Sequence, residues 1–218
     1  MYKRQIRNPI TAAKSLVQQM GEDPLSPENV EYAKVALGEL ERVERSISHL
    51  LRYAREEEMR LDDVRMAEVL DSAIETFRDR AAREGVELVR SFDCEGVLRG
   101  DPEMLRRIAI NLIGNAMDAV AHAAPARPRI EVSLGENLAG TEVWVRIHDN
   151  GDGIDPAVRD RIWNPFYTSK EHGTGLGLPI TKRIVEAHGG EIELGSSPES
   201  GTEFVLTFPK SGPRRDAS

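Results

Sequence analysis

Two interleaved seven-residue repeats run through residues 30–54 and limit how this segment can fold. The repeat positions are almost all apolar, Glu44 being the exception, and they form two rows: Val30, Leu37, Glu44 and Leu51, and Ala33, Leu40, Ile47 and Ala54. A seam kept over more than three repeats is typical of a coiled coil. Residues 6–20 carry a further helical pattern, and the stretch 21–27 between them supplies a terminal glycine, a serine cap and a proline. The sequence therefore predicts a two-helix hairpin within residues 1–60.

The apolar stripes of this hairpin indicate an oligomer. Two antiparallel helices cannot bury two such stripes between them, so a four-helix bundle made by two chains is the natural completion. The alternative is an ordinary hairpin that packs on the second domain of the same chain. The length of the seam favours a homodimer, because a small partner surface would not cover it.

Beyond residue 60 the pattern changes to mixed helices and strands, so the predicted fold class is α+β. The predicted helices span 66–84, 101–124 and 176–188, and the predicted strands lie near 86–92, 130–134, 143–147, 191–194 and 202–208. The second domain is expected over residues 61–210, with a disordered tail at 211–218. Asp101-Pro102-Glu103 is a strong helix start, with a capping carboxylate, a proline and an acid in the first turn.

Composition excludes several functional classes. The net charge of −8 gives no global electrostatic support for binding nucleic acid or an anionic membrane surface. A single cysteine, Cys94, excludes an internal disulfide and a cysteine-based zinc cluster. No uncharged run is long enough to cross a bilayer, and the N-terminus lacks an apolar signal stretch. We expect a cytoplasmic protein with no direct membrane contact, and a longer parent anchored in the inner membrane stays open.

Three polar clusters in the second domain carry the chemistry. In the first, Asn111, Asn115 and Asp118 share one face of the long helix by the helical period. Amide and carboxylate oxygens suit Mg²⁺, which also binds substrate phosphates, so the cluster is a candidate metal site. The alternative is a stripe of polar residues that faces solvent.

The second cluster follows a predicted strand. Asp149 at the strand end can accept a hydrogen bond from an exocyclic amine, and Gly151 and Gly153 let the backbone approach a flat ligand. The alternative is a simple Asn-Gly turn.

The third cluster opens a helix. Successive glycines at 173, 175 and 177 expose backbone N–H groups beside the positive end of the helix dipole, which makes an anion site, and Lys170 adds a positive charge. Neither the Walker spacing nor the Gly-x-Gly-x-x-Gly spacing is present. A flexible glycine hinge is the alternative, but it does not explain the helix start and the lysine together.

In order and spacing, these clusters resemble the N, G1, F and G2 boxes of the GHKL ATPase superfamily. The run Asn164-Pro-Phe-Tyr-Thr-Ser-Lys170 before the glycines, and the endings at 185–192 and 200–204, resemble those of sensor histidine kinases. The resemblance covers essentially the whole chain and implies an ATP-binding α/β sandwich of the Bergerat type behind a dimerising hairpin.

The resemblance also implies roles for individual residues. Asn115 would hold Mg²⁺, Asp149 would bind the adenine amine, and Gly151 and Gly153 would flank the base. Asn111 and Asp118 would complete the nucleotide site on the helix. The phosphate lid would consist of Lys170, Gly173, Thr174, Gly175, Leu176, Gly177 and Leu178.

The chain departs from the family at its phosphoacceptor motif. The family reads His-Glu-x-Arg-Asn-Pro, whereas this chain has Arg4 in the histidine position and Gln5 in the acidic position. A guanidinium stays protonated and has no lone pair to accept a phosphoryl group, and a glutamine cannot act as a general base. We therefore expect self-phosphorylation to be lost. None of the five histidines, at 49, 122, 148, 172 and 188, occupies the matching position.

Two explanations of this departure stay open. Residues 1–5 are either a gene-boundary artefact, which the missing upstream half of the first helix favours, or a genuine variant that lost the transfer step. Asn8 occupies the position that relatives associate with dephosphorylating a partner. The leading hypothesis is the core of a sensor histidine kinase that uses ATP and Mg²⁺ and meets the receiver domain of a response regulator. The alternatives are a non-catalytic ATP-binding docking module and a response-regulator phosphatase, while a gyrase- or chaperone-like clamp is disfavoured because those relatives lack the hairpin.

Overall fold

Residues 2–22, 27–38, 40–41, 59–170, 173–197 and 200–213 are described by the computed structural model. The chain divides into two units, of which one comprises Met1–Glu57 with Pro165–Leu176 and the other Glu58–Asn164 with Gly177–Ser218. Helices make up most of the described residues between 2 and 41 of the first unit, and the second unit combines helices with a mixed sheet, so the predicted α+β class is confirmed.

The first unit contains helix α1 (Tyr2–Glu22) and helix α2, which is described at residues 29–38 and 40–41. Helix α1 runs through Pro9 without interruption. Ala13 and Ala36 are buried, whereas the large apolar side chains of both helices are mostly exposed: Ile10, Val17, Val30, Val35, Leu37 and Leu40. Positions 44, 47, 51 and 54 of the predicted seam lie outside the described residues. The described half of the seam thus presents apolar surface to solvent.

The second unit begins at strand β1 and ends after strand β7. Its elements in chain order are β1 (Asp62–Arg65), α3 (Met66–Glu84), β2 (Glu87–Phe92), β3 (Val97–Gly100), α4 (Pro102–Ala123), β4 (Arg129–Glu136), β5 (Glu142–Asp149), 3-10 turns at Pro156–Val158 and Arg161–Trp163, α5 (Gly177–Ala187), β6 (Glu191–Ser197) and β7 (Gly201–Pro209). Each helix and strand predicted beyond residue 60 is present, with bounds that differ by a few residues.

The main sheet has the strand order β2-β4-β5-β7-β6, with β2 and β4 parallel and the other pairs antiparallel. Alternate residues of β5 are buried, beginning with Val143, and they join buried residues of α3, α4 and α5 in one core. The residues between them, such as Arg146, lie on the opposite face, where Arg146 pairs with Glu131 and Glu203 at 3.0 and 3.2 Å. The helices therefore cover one face of the sheet, as period-two burial requires.

The helix signals in the sequence correspond to real caps. The Asp101 side chain accepts hydrogen bonds from the N–H groups of Glu103 and Met104, which satisfies two donors at the start of α4. Gly85 ends α3 in the left-handed region at φ 67°, where a residue without Cβ is least strained.

The structure differs from the predictions at two places. Strands β1 and β3 form a separate antiparallel pair with Asp62 opposite Gly100. The sequence does not predict either strand, because each has only four residues, of which three are exposed in β1 and two in β3. The chain also stays ordered three residues beyond the predicted boundary at 210. Gly212 is buried and its N–H donates to Pro209 O at 3.0 Å, while residues 214–218 of the predicted tail lie outside the described part.

A buried histidine connects the end of α5 to the start of α4. His188 follows α5, is 1% exposed, and accepts at Nε2 from the Asp101 N–H at 3.0 Å. Its Nδ1 lies 2.8 Å from the carbonyl of Ile184, so the ring is neutral with its proton on Nδ1. Burial lowers the pKa of His188. This effect outweighs the hydrogen bond to Ile184 O and the charge of the Asp101 carboxylate, both of which raise the pKa.

His188 should make folding stability depend on pH. Because the pKa of His188 is lowered in the fold, the unfolded chain takes up this proton at a higher pH than the folded chain does. The free energy of unfolding should therefore fall as the pH drops below about 6.5, by up to about 1.4 kcal/mol per pH unit. Urea unfolding between pH 7.5 and 5.5 should show a shallower pH dependence for His188→Gln than for the unaltered chain. An equal slope in the two proteins would contradict this role of His188.

Candidate functional site

The end of strand β5 holds a buried carboxylate. Asp149 is 4% exposed, and both donors described for it approach the same oxygen: Gly151 N–H reaches Oδ1 at 2.9 Å and Thr202 N–H at 3.4 Å. Burial raises the pKa of Asp149, and the two backbone N–H groups and nearby His148 oppose that rise. A carboxylate held in this way has one oxygen fixed by the protein and can direct the other toward a ligand donor.

The loop after Asp149 lies against helix α4. A Cβ at Gly151 would come within 2.9 Å of Ala119 Cβ, so only glycine allows this approach. Asn150 fastens the other side of the loop, since its Oδ1 accepts from Arg129 N–H and its Nδ2 donates to Arg127 O, both at 2.8 Å. Further along the loop, Asp152 Oδ2 lies 2.5 Å from Nδ1 of His122, in the last turn of α4.

Gly153 continues this loop toward the β6–β7 hairpin. It has φ 72°, and a Cβ would overlap the carbonyl of Ser197. The next N–H, of Ile154, donates to Ser196 Oγ at 2.7 Å, and Ser196 Oγ donates to Gly201 O at 3.1 Å. The predicted glycines at 151 and 153 thus lie where the backbone passes closest to two neighbouring elements.

Two of the three polar residues predicted on α4 contact neighbouring helices. Asn111 Nδ2 donates to Thr181 Oγ1 on α5 at 2.8 Å, and a Cβ at Gly177 would overlap Asn111 Oδ1. Asp118 accepts from Arg80 Nη2 on α3 at 2.9 Å. Asn115 lies between them on the same face and is half-buried. Asn111 and Asp118 therefore also link α4 to its two neighbouring helices.

The segment Pro165–Leu176 has its own internal bonding. Phe166 N–H donates to Gly175 O at 2.8 Å, and these two residues have positive φ values of 67° and 65°. Thr168 Oγ1 accepts from Lys170 N–H at 3.1 Å, and a Cβ at Gly173 would overlap that hydroxyl. Thr174 is half-buried and Leu176 is 1% exposed. In the second unit, Gly177 and Leu178 form the first turn of α5, where the Leu178 side chain packs on the core.

The positions that the resemblance relates to the phosphoacceptor motif lie on α1. The backbone is helical at Arg4, Gln5 and Asn8. Among the histidines, His148 Nε2 lies 2.9 Å from Ser200 O and His188 is a core residue, whereas positions 49 and 172 lie outside the described residues.

Several site residues were not predicted from the sequence. Thr181, Thr202 and Ser196 each bond to a predicted position, and Arg80 pairs with Asp118. Two of them carry a sequence signal, since Thr181 lies one helical turn after Gly177 and Thr202 lies in the ending at 200–204. No helix in the part of the chain that the structure describes combines the length and apolar character needed to cross a bilayer.

The second unit thus has a three-helix layer on a mixed sheet, a buried carboxylate at a strand end and a glycine that opens a helix. The family model described as "Histidine kinase-, DNA gyrase B-, and HSP90-like ATPase" matches residues 100–212, and the "His Kinase A (phospho-acceptor) domain" matches residues 2–58. The chain belongs to this ATPase family and has the two-domain core of its sensor histidine kinases.

Among curated proteins, the chain is 33% identical to sporulation kinase A of Bacillus subtilis over 208 residues and 30% identical to the signal transduction histidine-protein kinase AtoS of Escherichia coli over 206 residues. Each match covers 94% of this chain and 33% of the relative, so the chain spans about a third of their length. Among solved structures, histidine kinase ThkA in complex with the response regulator TrrA has a TM-score of 0.76 at 24% identity, covering 96% of this chain and 60% of ThkA. That match supports the fold.

The contact between Gly177 and Asn111 should be sensitive to one methyl group. In Gly177→Ala the new Cβ displaces Asn111 and breaks its bond to Thr181, so the free energy of unfolding should fall by about 1–2 kcal/mol. Gly114→Ala on α4 is the matched control. Its Cβ would meet Phe77 at an ordinary 3.4 Å, so removing an interior helix glycine should raise stability by about 0.5–1 kcal/mol. Urea unfolding measures the stability of both variants. If Gly177→Ala were as stable as the unaltered chain, this result would contradict the Asn111 contact.

Proposed function

We propose that this chain is the catalytic core of a sensor histidine kinase that binds ATP with Mg²⁺. The reaction is phosphoryl transfer to a histidine of a helical hairpin and then to an aspartate of a response-regulator receiver domain, in the cytoplasm. The observation that carries the proposal is Asp149, whose Oδ1 is held by two backbone N–H groups. Its Oδ2 accepts from the adenine amine, and family membership supports this role.

The rest of the nucleotide is held by backbone as much as by side chains. Gly151 and Gly153 flank the base, where side chains would collide with α4 and with the β6–β7 hairpin. The backbone N–H groups of residues 173–178 bind the phosphates at the start of α5, with the positive charge of Lys170. Catalysis then consists mainly of positioning and charge neutralisation.

The donor set on α4 fits a magnesium ion. Asn115 offers an amide oxygen on a half-buried helix face, and Mg²⁺ is bound by one or two protein oxygens together with substrate phosphates. The ion supplies charge neutralisation on the phosphates. Asn111 orients the first turns of α5 through Thr181, and Asp118 holds α3 through Arg80, so each supports the site from its rim.

The acceptor half of the reaction is impaired in this chain. Arg4 replaces the reactive histidine and Gln5 replaces its acidic neighbour, so the hairpin offers no nitrogen lone pair and no general base at these positions. This observation favours a second candidate, an ATP-binding module that dimerises and docks on a response regulator, with Asn8 left to support phosphatase activity. The exposed apolar side chains of α1 and α2 support a homodimer in either case.

Nucleotide binding should depend on the Asp149 carboxylate. In Asp149→Asn, the two backbone N–H donors hold the amide oxygen, so the new NH₂ group faces the adenine amine, another donor. Affinity for a non-hydrolysable ATP analogue, measured by calorimetry, should fall at least about tenfold, or 1.4 kcal/mol. Thermal stability should not fall, because a buried charge is removed. Asp155→Asn, at an exposed capping residue, should bind as the unaltered chain does.

Restoring the acceptor should restore labelling. With Mg²⁺ and γ-labelled ATP, the Arg4→His/Gln5→Glu variant should acquire acid-labile label, because it regains a lone pair and a general base. The unaltered chain should remain unlabelled under the same conditions. Label on neither chain, although the ATP analogue binds, would favour the docking module. Acid-labile label on the unaltered chain would contradict the loss of self-phosphorylation.

A further inference from the structure

The chain enters the second unit along a short antiparallel ladder. Strand β1 pairs with β3 so that Asp62 lies opposite Gly100, the last residue of β3. Two residues earlier, the Arg60 N–H donates to Asp101 Oδ2 at 2.9 Å. Near the start of the second unit, the backbone at Arg60 is therefore held by the side chain that caps α4.

Asp101 makes a different contact with each of its polar atoms. Oδ1 accepts from Glu103 N–H at 3.1 Å and Met104 N–H at 3.0 Å, Oδ2 accepts from Arg60, and its own N–H donates to His188 Nε2. The residue is 7% exposed, so little water competes for these groups. A capped helix alone needs only Oδ1, and the second oxygen is used for the connection.

His188 carries the chain of contacts to α5. The ring packs so closely on β3 that a Cβ at Gly100 would lie 3.0 Å from His188 Cδ2, and it meets Phe208 edge-on at 6.2 Å between ring centroids. Its Nδ1–H donates to Ile184 O in the last turn of α5. Helix α5 begins at Gly177 and contacts Asn111 of α4. Asp101 therefore contacts the start of α4 directly and the last turn of α5 through His188.

We propose that Asp101 is a positioning residue that anchors the connection from the helical hairpin, at Arg60, to helices α4 and α5. The anchor fixes the point at which the chain enters the ATP-binding unit, on which phosphoryl transfer depends, and it is not needed for nucleotide affinity. This inference rests on the proposed function. Its physical basis is that transfer between groups on different units depends on their alignment, whereas the nucleotide contacts lie within α4, β5 and α5.

Replacement of one oxygen separates the anchor from the cap. In Asp101→Asn, the amide oxygen can still cap α4, because asparagine and aspartate are equally good caps. The amide NH₂ then faces the Arg60 N–H, so that hydrogen bond is lost. Asp101→Ala removes both functions. Asp63→Asn, at an exposed position of β1, is the matched control.

The first measurement is hydrogen exchange at the Arg60 amide by nuclear magnetic resonance. The amide should be protected in the full unaltered chain and in Asp63→Asn, and it should exchange at least about tenfold faster in Asp101→Asn. The N–H groups of Glu103 and Met104 should keep their protection in Asp101→Asn and lose it in Asp101→Ala. An unprotected Arg60 amide in the unaltered chain would overturn the anchor.

The second measurement tests positioning, in the Arg4→His/Gln5→Glu background. Asp101→Asn should lower the rate of labelling at saturating ATP about tenfold and leave the KM for ATP within about twofold, a split that general destabilisation would not produce. An unchanged rate with faster Arg60 exchange would reduce Asp101 to a structural residue and overturn the proposal. If the Arg4→His/Gln5→Glu variant acquired no label, this result would contradict the proposed function. Hydrogen exchange at the Arg60 amide would still test the anchor, because that measurement needs no phosphoryl transfer.

Discussion

The burial of helix α4 against the sheet is the interaction on which the ATP-binding unit depends. Leu112, Ile113 and Met117 are at most 1% exposed and join the buried side of β5 in one core. Because that face of α4 is fixed by close packing, its polar positions are fixed as well. Asn111 then contacts α5 and Asp118 contacts α3. The loop after Asp149 passes so close to α4 that only a glycine fits at position 151.

Two buried carboxylates in this unit illustrate how similar chemistry serves different ends. Both are held by backbone N–H groups, which compensate for the loss of water. The donors described for Asp149 both use Oδ1, which leaves the other oxygen for the proposed adenine contact. Asp101 instead uses both oxygens within the protein. The distribution of donors, rather than burial alone, separates the carboxylate that we propose to bind adenine from the one that we propose to position the connection.

The two domains differ in whether they carry the residues that the proposed reaction needs. The ATP-binding unit has the residues to which the sequence resemblance assigns the nucleotide, whereas the hairpin carries Arg4 and Gln5 where the proposed transfer needs a histidine and an acid. A guanidinium cannot be deprotonated by its surroundings, so no change in packing would turn Arg4 into an acceptor. The proposed loss of self-phosphorylation therefore follows from side-chain chemistry, whatever arrangement the two units adopt.

Local signals in the sequence determined most of the second unit: caps such as Asp101 and Gly85, alternation along β5, and the spacing of the glycines predicted its helices and the strands of the main sheet. These signals do not predict β1 and β3, because each strand has only four residues and its sequence shows no clear alternation of apolar and polar residues. Only the tertiary structure decided the partners of polar side chains. Asp118 lies 38 residues from Arg80, Asn111 lies 70 from Thr181, and Asp101 lies 87 from His188. Periodicity reports which face of an element is buried, but which groups meet across that face is set by how the elements pack.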